Sequence, residues 1–269
     1  MLLLLLAITG TFVLAQQPVI DAHVHADFGD RTPAQLLADW KQAGVVGAVF
    51  HTSRDGSGRK PPEQPKNSIT CLGVADSVDL AAIESGLKAK QYGCVKIYLG
   101  YVYRYASDPA YTPIYHLAAK YDVPVVFHTG DTITQDGKVK YAHPLTIDEV
   151  AVDHRKTTFV LAHCGNPWTQ DAAEVAYKNP NVYLECSALL LGDLSRMAPD
   201  KVNKYVVEPI SWVFGYLEDP RKLLFGSDWP ASDLKSYLEA YKRAIPREHW
   251  QLVFHDNAAR VFRLEKPRP

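Results

Sequence analysis

Short apolar runs and longer helical patterns alternate along the whole chain, and few folds accommodate that order. Each run is short, rich in β-branched or aromatic residues, and bounded by turn-forming or charged residues, as expected for a strand buried on both faces. The runs lie at residues 18–22, 45–50, 69–74, 94–99, 123–127, 158–162, 182–186 and 223–226. Their order predicts a parallel sheet with helical crossovers.

Helical patterns follow most of these runs. They lie at 34–43, 79–91, 109–121, 146–155, 170–178, 201–217 and 233–244, and a last helix is predicted at about 247–262. Thr32 and Pro33 give the first helix a cap and a starting proline, and Gly44 ends it. Eight strands alternating with helices over most of 269 residues predict a (β/α)8 TIM barrel with a C-terminal closing helix. An open doubly wound sheet is the alternative, but the sequence lacks the Gly-x-Gly-x-x-Gly turn of its nucleotide-binding version.

Composition excludes several classes of protein. Hydrophobic residues make up 47% of the chain and charged residues 22%, so the chain can bury a full core. A net charge of −1 argues against broad electrostatic binding to nucleic acid or to an anionic membrane. Four cysteines without a Cys-x-x-Cys pair exclude a zinc ribbon and a disulfide scaffold. We interpret Cys94, Cys164 and Cys186 as buried free thiols.

The first 15 residues, MLLLLLAITGTFVLA, form an apolar segment too short to span a membrane comfortably. The segment ends in Val13-Leu14-Ala15 before two glutamines, which resembles a signal-peptidase site, although the segment lacks a positively charged start. We therefore predict a signal peptide at 1–15, a single barrel domain at 16–269, and export to the periplasm or the medium. A structural first segment, which would leave the protein cytoplasmic, and a membrane anchor are the alternatives.

Ionisable residues stand at or near the carboxyl ends of several predicted strands. His23 and His25 follow the first, and they point to the same side because side chains two apart in a strand do so. His128 ends the fifth strand, His163 the sixth, and Asp228 the eighth. Parallel barrels carry their chemistry at this face. Burying these groups separately would cost several kcal/mol each, whereas a shared divalent cation removes that penalty.

Imidazole and carboxylate ligands suit zinc, iron or manganese, and a site without thiolates retains water. Zinc lowers the pKa of bound water to about 7, and Asp228 is the candidate general base beside it. A histidine that is not a ligand could polarise a carbonyl. Lys96, inside the fourth strand, could bridge two metals as a carbamate, bind an anion or pair with Asp228 as an ammonium, or be structural.

The ordered motifs resemble those of the amidohydrolase superfamily. They are DAHVH at 21–25, PVVFHTG at 124–130, AHCG at 162–165, FGSDWP at 225–230 and HDNAARVF at 255–262. The resemblance is to the amidohydrolase-related branch, which includes aminocarboxymuconate semialdehyde decarboxylase, benzoate-type decarboxylases, hydratases and lactonases. It covers residues 19–264 and implies a distorted barrel with one or two divalent metals, zinc being the expected ion.

Two ligand sets follow from this resemblance. In a one-metal site, His23, His25, His128 and Asp228 would bind the ion and His163 would face the substrate. In a two-metal site, Lys96 would be carboxylated, and His128 and His163 would bind the second ion. We favour one metal, because members of this branch are mostly mononuclear.

Several residues near the predicted rim are candidates for substrate binding. Arg54 and His51 follow the second strand, and Arg54 could bind a carboxylate. Tyr98, Tyr101 and Arg104 cluster after the fourth strand and could wall a pocket. We expect a small-molecule substrate, with a carboxylic acid among the options, and no nucleic-acid partner; a homo-oligomer is compatible with the sequence.

The motifs support a metal-dependent hydrolase that attacks an amide, ester or lactone carbonyl, with Asp228 as proton shuttle and His163 as the second catalytic residue. The alternative enzyme is a non-oxidative decarboxylase of an unsaturated or aromatic acid. A non-catalytic barrel that uses metal for stability is the least favoured reading.

Overall fold

Eight parallel strands form a nearly closed barrel in the computed structural model, which describes residues 17–25, 32–58, 63–74 and 79–264. The strands are β1 (Val19–His25), β2 (Val45–His51), β3 (Asn67–Val74), β4 (Cys94–Ile97), β5 (Val125–His128), β6 (Phe159–Ala162), β7 (Val182–Glu185) and β8 (Leu223–Leu224). They neighbour one another in chain order. The segment after β8 returns to β1, since Ala22 N–H donates to Phe225 O at 3.0 Å and His25 N–H to Trp229 O at 2.9 Å. The predicted TIM barrel is confirmed.

Helices surround the strands as the sequence predicts. They are α1 (Pro33–Ala43), α2 (Leu80–Lys88), α3 (Thr112–Tyr121), α4 (Thr146–Asp153), α5 (Thr169–Lys178), α6 (Pro199–Val202), α7 (Glu208–Leu217), α8 (Leu234–Ala244) and α9 (Asn257–Val261). Thr32 caps α1 by accepting from the Gln35 N–H, and Gly44 ends the helix with a positive φ of 73°. One π-helical turn, Asn203–Val207, joins α6 to α7, so the helix predicted at 201–217 is continuous. Helical turns at Arg247–His249 and Leu252–Asp256 lead into α9.

The apolar core has two layers. The larger layer lies between the strands and the surrounding helices, and Trp40, Tyr115 and Tyr241 are buried there. The smaller layer fills the barrel interior, where Val126 and Leu224 pack with residues of α9. The last helix therefore covers the end of the barrel opposite the carboxyl-terminal rim and leaves that rim for the polar residues.

All four cysteines are paired, as Cys71–Cys94 and Cys164–Cys186, so the expectation of free thiols at Cys94, Cys164 and Cys186 is wrong. The alignment of neighbouring strands explains both pairings. Cys71 and Cys94 are partners across β3 and β4, with Cα atoms 4.4 Å apart. Cys164 and Cys186 follow β6 and β7, with Cα atoms 4.7 Å apart. Neighbouring parallel strands thus bring together side chains that are distant in sequence.

The predicted signal peptide at 1–15 lies outside the described residues. Within the described ranges, no helix combines the length and the apolar character needed to cross a membrane.

Candidate metal centre

The barrel brings five of the six predicted ligand residues together at its carboxyl-terminal rim, all except Lys96. His23 and His25 end β1, and Asp228 follows β8. His128 ends β5, and His163 follows β6 directly. All except His25 are buried, and the His25 side chain is 31% exposed.

Asp228 and two histidines form the tightest cluster. Asp228 Oδ1 lies 2.9 Å from His25 Nε2 and 3.3 Å from His23 Nε2. Nevertheless, His23 Nε2 and Asp228 Oδ1 are buried atoms without a hydrogen-bond partner among the described residues. Two imidazole nitrogens and a carboxylate oxygen that converge in this way match the donor atoms of a zinc site. The residues therefore fit a divalent cation.

Glu185 is a member of the centre that the sequence analysis missed. It ends β7, is 1% exposed, and its Oε2 lies 2.7 Å from His23 Nδ1. A charged residue at the carboxyl end of an apolar run is the same signal that identified His128 and Asp228. The sequence therefore contained the information needed to find it.

His128 and His163 form a second pair of facing nitrogens, 3.2 Å apart. His128 Nε2 lies 2.8 Å from the Asp131 carbonyl oxygen, which can only accept, so the proton of the neutral ring is on Nε2. His128 Nδ1 is then a lone pair directed at His163 Nε2. A proton or a shared cation between the two nitrogens satisfies this arrangement.

Lys96 and His51 are buried beside the ligand cluster. The Lys96 side chain is fully buried, and its Nζ has no hydrogen-bond partner in the part of the chain that the structure describes. Burial lowers the pKa of Lys96 to about 8 and raises the pKa of Glu185 to about 8, and the attraction between the two charges opposes both shifts. His51 is also buried; its Nε2 donates to Ala22 O at 3.0 Å, and its ring centroid lies 4.1 Å from that of His23. His51 therefore packs against the ring of His23.

Electrostatics favour the protonation states that metal ligands need. Burial lowers the pKa of His23 and of His128 well below the usual value, and that of His163 to about 4, so these imidazoles are neutral. Burial raises the pKa of Asp228, but the interactions with His25, His163 and Lys96, including a hydrogen bond from His25, together lower it below its ordinary value. The centre thus combines neutral imidazoles with an ionised carboxylate.

A cavity of about 230 Å³ opens above the cluster. Its walls include the predicted substrate-binding residues Arg54, Tyr98 and Tyr101, together with His25, Ser53, His128, Ile133, Thr134, His163 and Asp228. Arg104 is half-buried in the loop after β4 and does not line this cavity.

Donor groups remain available on the cavity wall. One Arg54 N–H donates to the Tyr101 carbonyl oxygen at 3.3 Å, which leaves other N–H groups of the guanidinium for a ligand. The Tyr101 hydroxyl accepts from the Ile133 N–H at 3.0 Å, so its own proton can be donated. By contrast, the Tyr98 hydroxyl donates its proton to Thr52 O, so Tyr98 lines the cavity without offering a donor to a ligand.

The fold and the site together define a class: a parallel barrel with a candidate divalent-metal centre at its carboxyl-terminal rim. The family model described as amidohydrolase matches residues 17–264, and the chain belongs to that family, whose members are enzymes. No curated protein matches the sequence.

Solved structures share the fold at low sequence identity. A probable 2-pyrone-4,6-dicarboxylic acid hydrolase from Acinetobacter baumannii is 14% identical, with a TM-score of 0.63 over 91% of this chain and 98% of that one. A zinc-bound amidohydrolase from Burkholderia multivorans is 15% identical, with a TM-score of 0.66 over 92% and 99%. The 5-carboxyvanillate decarboxylase of Sphingomonas paucimobilis is 12% identical, with a TM-score of 0.63 over 92% and 99%.

Proposed function

We propose that the protein is a metal-dependent hydrolase that opens a lactone or cleaves an ester or amide. One observation carries the proposal: the Asp228 carboxylate contacts two imidazole nitrogens at the floor of a cavity that also exposes donor groups. An ionised carboxylate at this position can accept a proton from water that attacks a carbonyl.

His23 Nε2, His25 Nε2 and Asp228 Oδ1 would hold the metal. His128 would complete a one-metal site, whereas His128, His163 and a carboxylated Lys96 would serve a second ion. When bound, a divalent ion, with zinc as the expected one, supplies a Lewis acid and lowers the pKa of water to about 7.

The protein residues divide the remaining tasks. Asp228 takes up the proton of the attacking water. His163 faces the cavity, where its neutral Nε2 can accept a hydrogen bond from a group of the substrate. Arg54 and the Tyr101 hydroxyl orient an acidic substrate through the donors described above.

The donor groups of Arg54 and Tyr101 on the cavity wall favour one class of substrate. A guanidinium beside a phenolic donor suits a small molecule that carries a carboxylate. The hydrolase neighbour named for 2-pyrone-4,6-dicarboxylic acid, a lactone with two carboxyl groups, supports an acidic lactone as the first substrate to test.

A decarboxylase is the second candidate, because Arg54 would bind the carboxylate of an aromatic acid and one structural neighbour is a 5-carboxyvanillate decarboxylase. Decarboxylation replaces the carboxylate with a proton on carbon. The hydrolase is favoured because Asp228, held ionised by its neighbours, is a better proton acceptor than donor.

The test is a substrate panel on protein stripped with a chelator and reloaded with zinc, manganese or cobalt. Lactones, esters and amides, each with and without a carboxylate, are followed by acid release, and aromatic acids by carbon dioxide release. We expect metal-dependent acid release, fastest for an acidic lactone or ester. Release of carbon dioxide without hydrolysis would replace the hydrolase with the decarboxylase.

We also propose that the protein is exported. The apolar segment at 1–15 has the character of a signal peptide. The two disulfides support the proposal, because such bonds form and persist mainly in oxidising compartments.

A further inference from the structure

We propose that Glu185 is a positioning residue of the candidate metal centre, fixing the His23 ring directly and the His163 ring through Ser187. The inference rests on the proposed function, because it concerns the metal centre of that enzyme. It assigns a role to β7, a strand from which no site residue was predicted.

Both carboxylate oxygens of Glu185 are held by neighbouring polar groups. Oε1 accepts from the Ser187 N–H at 2.6 Å, and Oε2 accepts from the Ser187 hydroxyl at 3.1 Å. Oε2 also lies 2.7 Å from His23 Nδ1. Three hydrogen-bond contacts to its two buried oxygens place Glu185 where a carboxylate orients a ligand and is not itself a ligand.

This geometry selects between two groups of potential ligands. One group is His23, His163 and Glu185, and the other is His23, His25 and Asp228. Because His23 Nδ1 donates to Glu185, its proton is on Nδ1 and the lone pair is on Nε2. Nε2 is the atom directed at Asp228, so the second group holds the free donor atoms.

Ser187 extends the same control to His163. A carboxylate can only accept, so the Ser187 hydroxyl gives its proton to Glu185. The Ser187 oxygen then accepts from His163 Nδ1, which lies 2.7 Å away. His163 Nε2 is thereby left as a lone pair that faces the lone pair of His128 Nδ1, an arrangement that a shared cation would satisfy, and one carboxylate sets the tautomer of both rings.

The surroundings keep Glu185 in place. A Cβ atom added at Gly226 would lie 2.9 Å from His23 Cβ and would contact the Glu185 carboxylate still more closely, so only glycine fits there. Cys164 N–H donates to the Glu185 carbonyl oxygen at 3.0 Å, and Cys164 is bonded to Cys186. The disulfide therefore joins the residues that directly follow His163 and Glu185.

The test compares the zinc affinity of Glu185→Gln with that of the wild-type protein, measured by competition with a chelator. An amide nitrogen cannot face the Ser187 N–H, so it must face His23 Nδ1 and force the His23 proton onto Nε2. We expect zinc affinity to fall roughly 10–100-fold.

Asp21→Asn is the matched control. Asp21 is likewise a buried carboxylate that accepts from a serine, taking the Ser227 N–H at 2.9 Å and the Ser227 hydroxyl at 2.6 Å, but it contacts His23 only at the main-chain N–H. We expect this variant to lose stability and to keep its zinc affinity. Equal losses of affinity in the two variants would overturn the positioning role.

A second measurement needs no variant. Nitrogen-15 NMR of the metal-free wild-type protein reports which ring nitrogen carries the proton, and we expect Nδ1–H for His23. An Nε2–H tautomer at His23 would overturn the inference. Failure of the wild-type protein to bind zinc would overturn the metal proposal together with this one, whereas equal affinity of wild type and Glu185→Gln would overturn this one alone.

Discussion

The two halves of the barrel interior differ sharply in chemistry. Toward the end covered by α9, the interior is filled by apolar side chains such as Val49, Val126 and Leu224. Toward the carboxyl-terminal rim, the buried residues include the ionisable side chains of His23, His51, Lys96, His128, His163, Glu185 and Asp228. In this polar half, His23 Nε2, His51 Nδ1, Lys96 Nζ and Asp228 Oδ1 are buried without hydrogen-bond partners among the described residues.

The contrast indicates that one end of the barrel supplies the stability of the fold and the opposite end supplies the candidate metal centre. Each unsatisfied buried polar group opposes folding by about 1–3 kcal/mol, and the apolar half must offset that loss. Substitutions in the apolar half should therefore change stability and leave activity alone. Substitutions in the polar half should change activity, metal affinity or both.

The largest effect is expected at Asp228. Asp228→Asn removes the proton acceptor but retains the shape of the side chain, so kcat should fall about 10²–10⁴-fold. Steady-state kinetics on metal-loaded protein, with metal content measured in parallel, checks this. Asp219→Asn, which removes a carboxylate that caps the turn Pro220–Lys222 before β8, should keep kcat. A loss of less than tenfold in Asp228→Asn would exclude its role as proton shuttle.

The apolar half is tested by Leu224→Ala. Leu224 is fully buried, and truncation leaves a cavity, so the free energy of unfolding should fall by about 2–5 kcal/mol. Chemical denaturation gives the stability, and kcat per folded molecule should match that of the wild type. A fall in kcat at unchanged stability would show that the two halves are not separate in function.

The two disulfides allow the sharpest contrast, because they close loops of nearly equal length, with sequence separations of 23 and 22 residues. Replacing either pair of cysteines by alanine should lower the free energy of unfolding by about 3 kcal/mol. Only loss of Cys164–Cys186 should also weaken zinc binding, since this pair adjoins His163 and Glu185.

Mass spectrometry after alkylation of the unreduced protein verifies both disulfides before the variants are compared. Equal zinc affinities in the two double variants would contradict a role for the Cys164–Cys186 bond in positioning the centre.

The smallest effect is expected at Arg54. Arg54→Lys keeps the charge and loses bidentate geometry, so KM for a substrate with a carboxylate should rise about tenfold. KM for the neutral ester of the same substrate should be unchanged. If both KM values rise equally, Arg54 supports the structure of the loop and does not bind the substrate carboxylate.

The sequence predicted the barrel well because the patterns that define its strands and helices are local. Apolar runs, the Thr32 cap and Gly44 each act within a few residues, and the polar ends of strands indicated His23, His25, His128, His163 and Asp228. Which of these atoms face each other depends on strand register and tautomer. The sequence does not reveal how the strands align, so it could not show that His128 faces His163 while His25 faces Asp228.

Pairings between neighbouring strands were missed for the same reason. Cys71 meets Cys94 because β3 and β4 align them, although 23 residues separate them in sequence. Glu185 shared the strand-end pattern of the predicted ligands and could have been found. Arg104 was grouped with Tyr101 by proximity in sequence, but the loop after β4 directs only part of that cluster to the cavity.

The most direct test of the account is anomalous diffraction from crystals of the zinc-loaded protein. We predict an anomalous peak within coordination distance of His23 Nε2, His25 Nε2 and Asp228 Oδ1, with Glu185 still bonded to His23 Nδ1. A zinc ion bound by Glu185, or zinc found only away from the carboxyl-terminal rim, would contradict it.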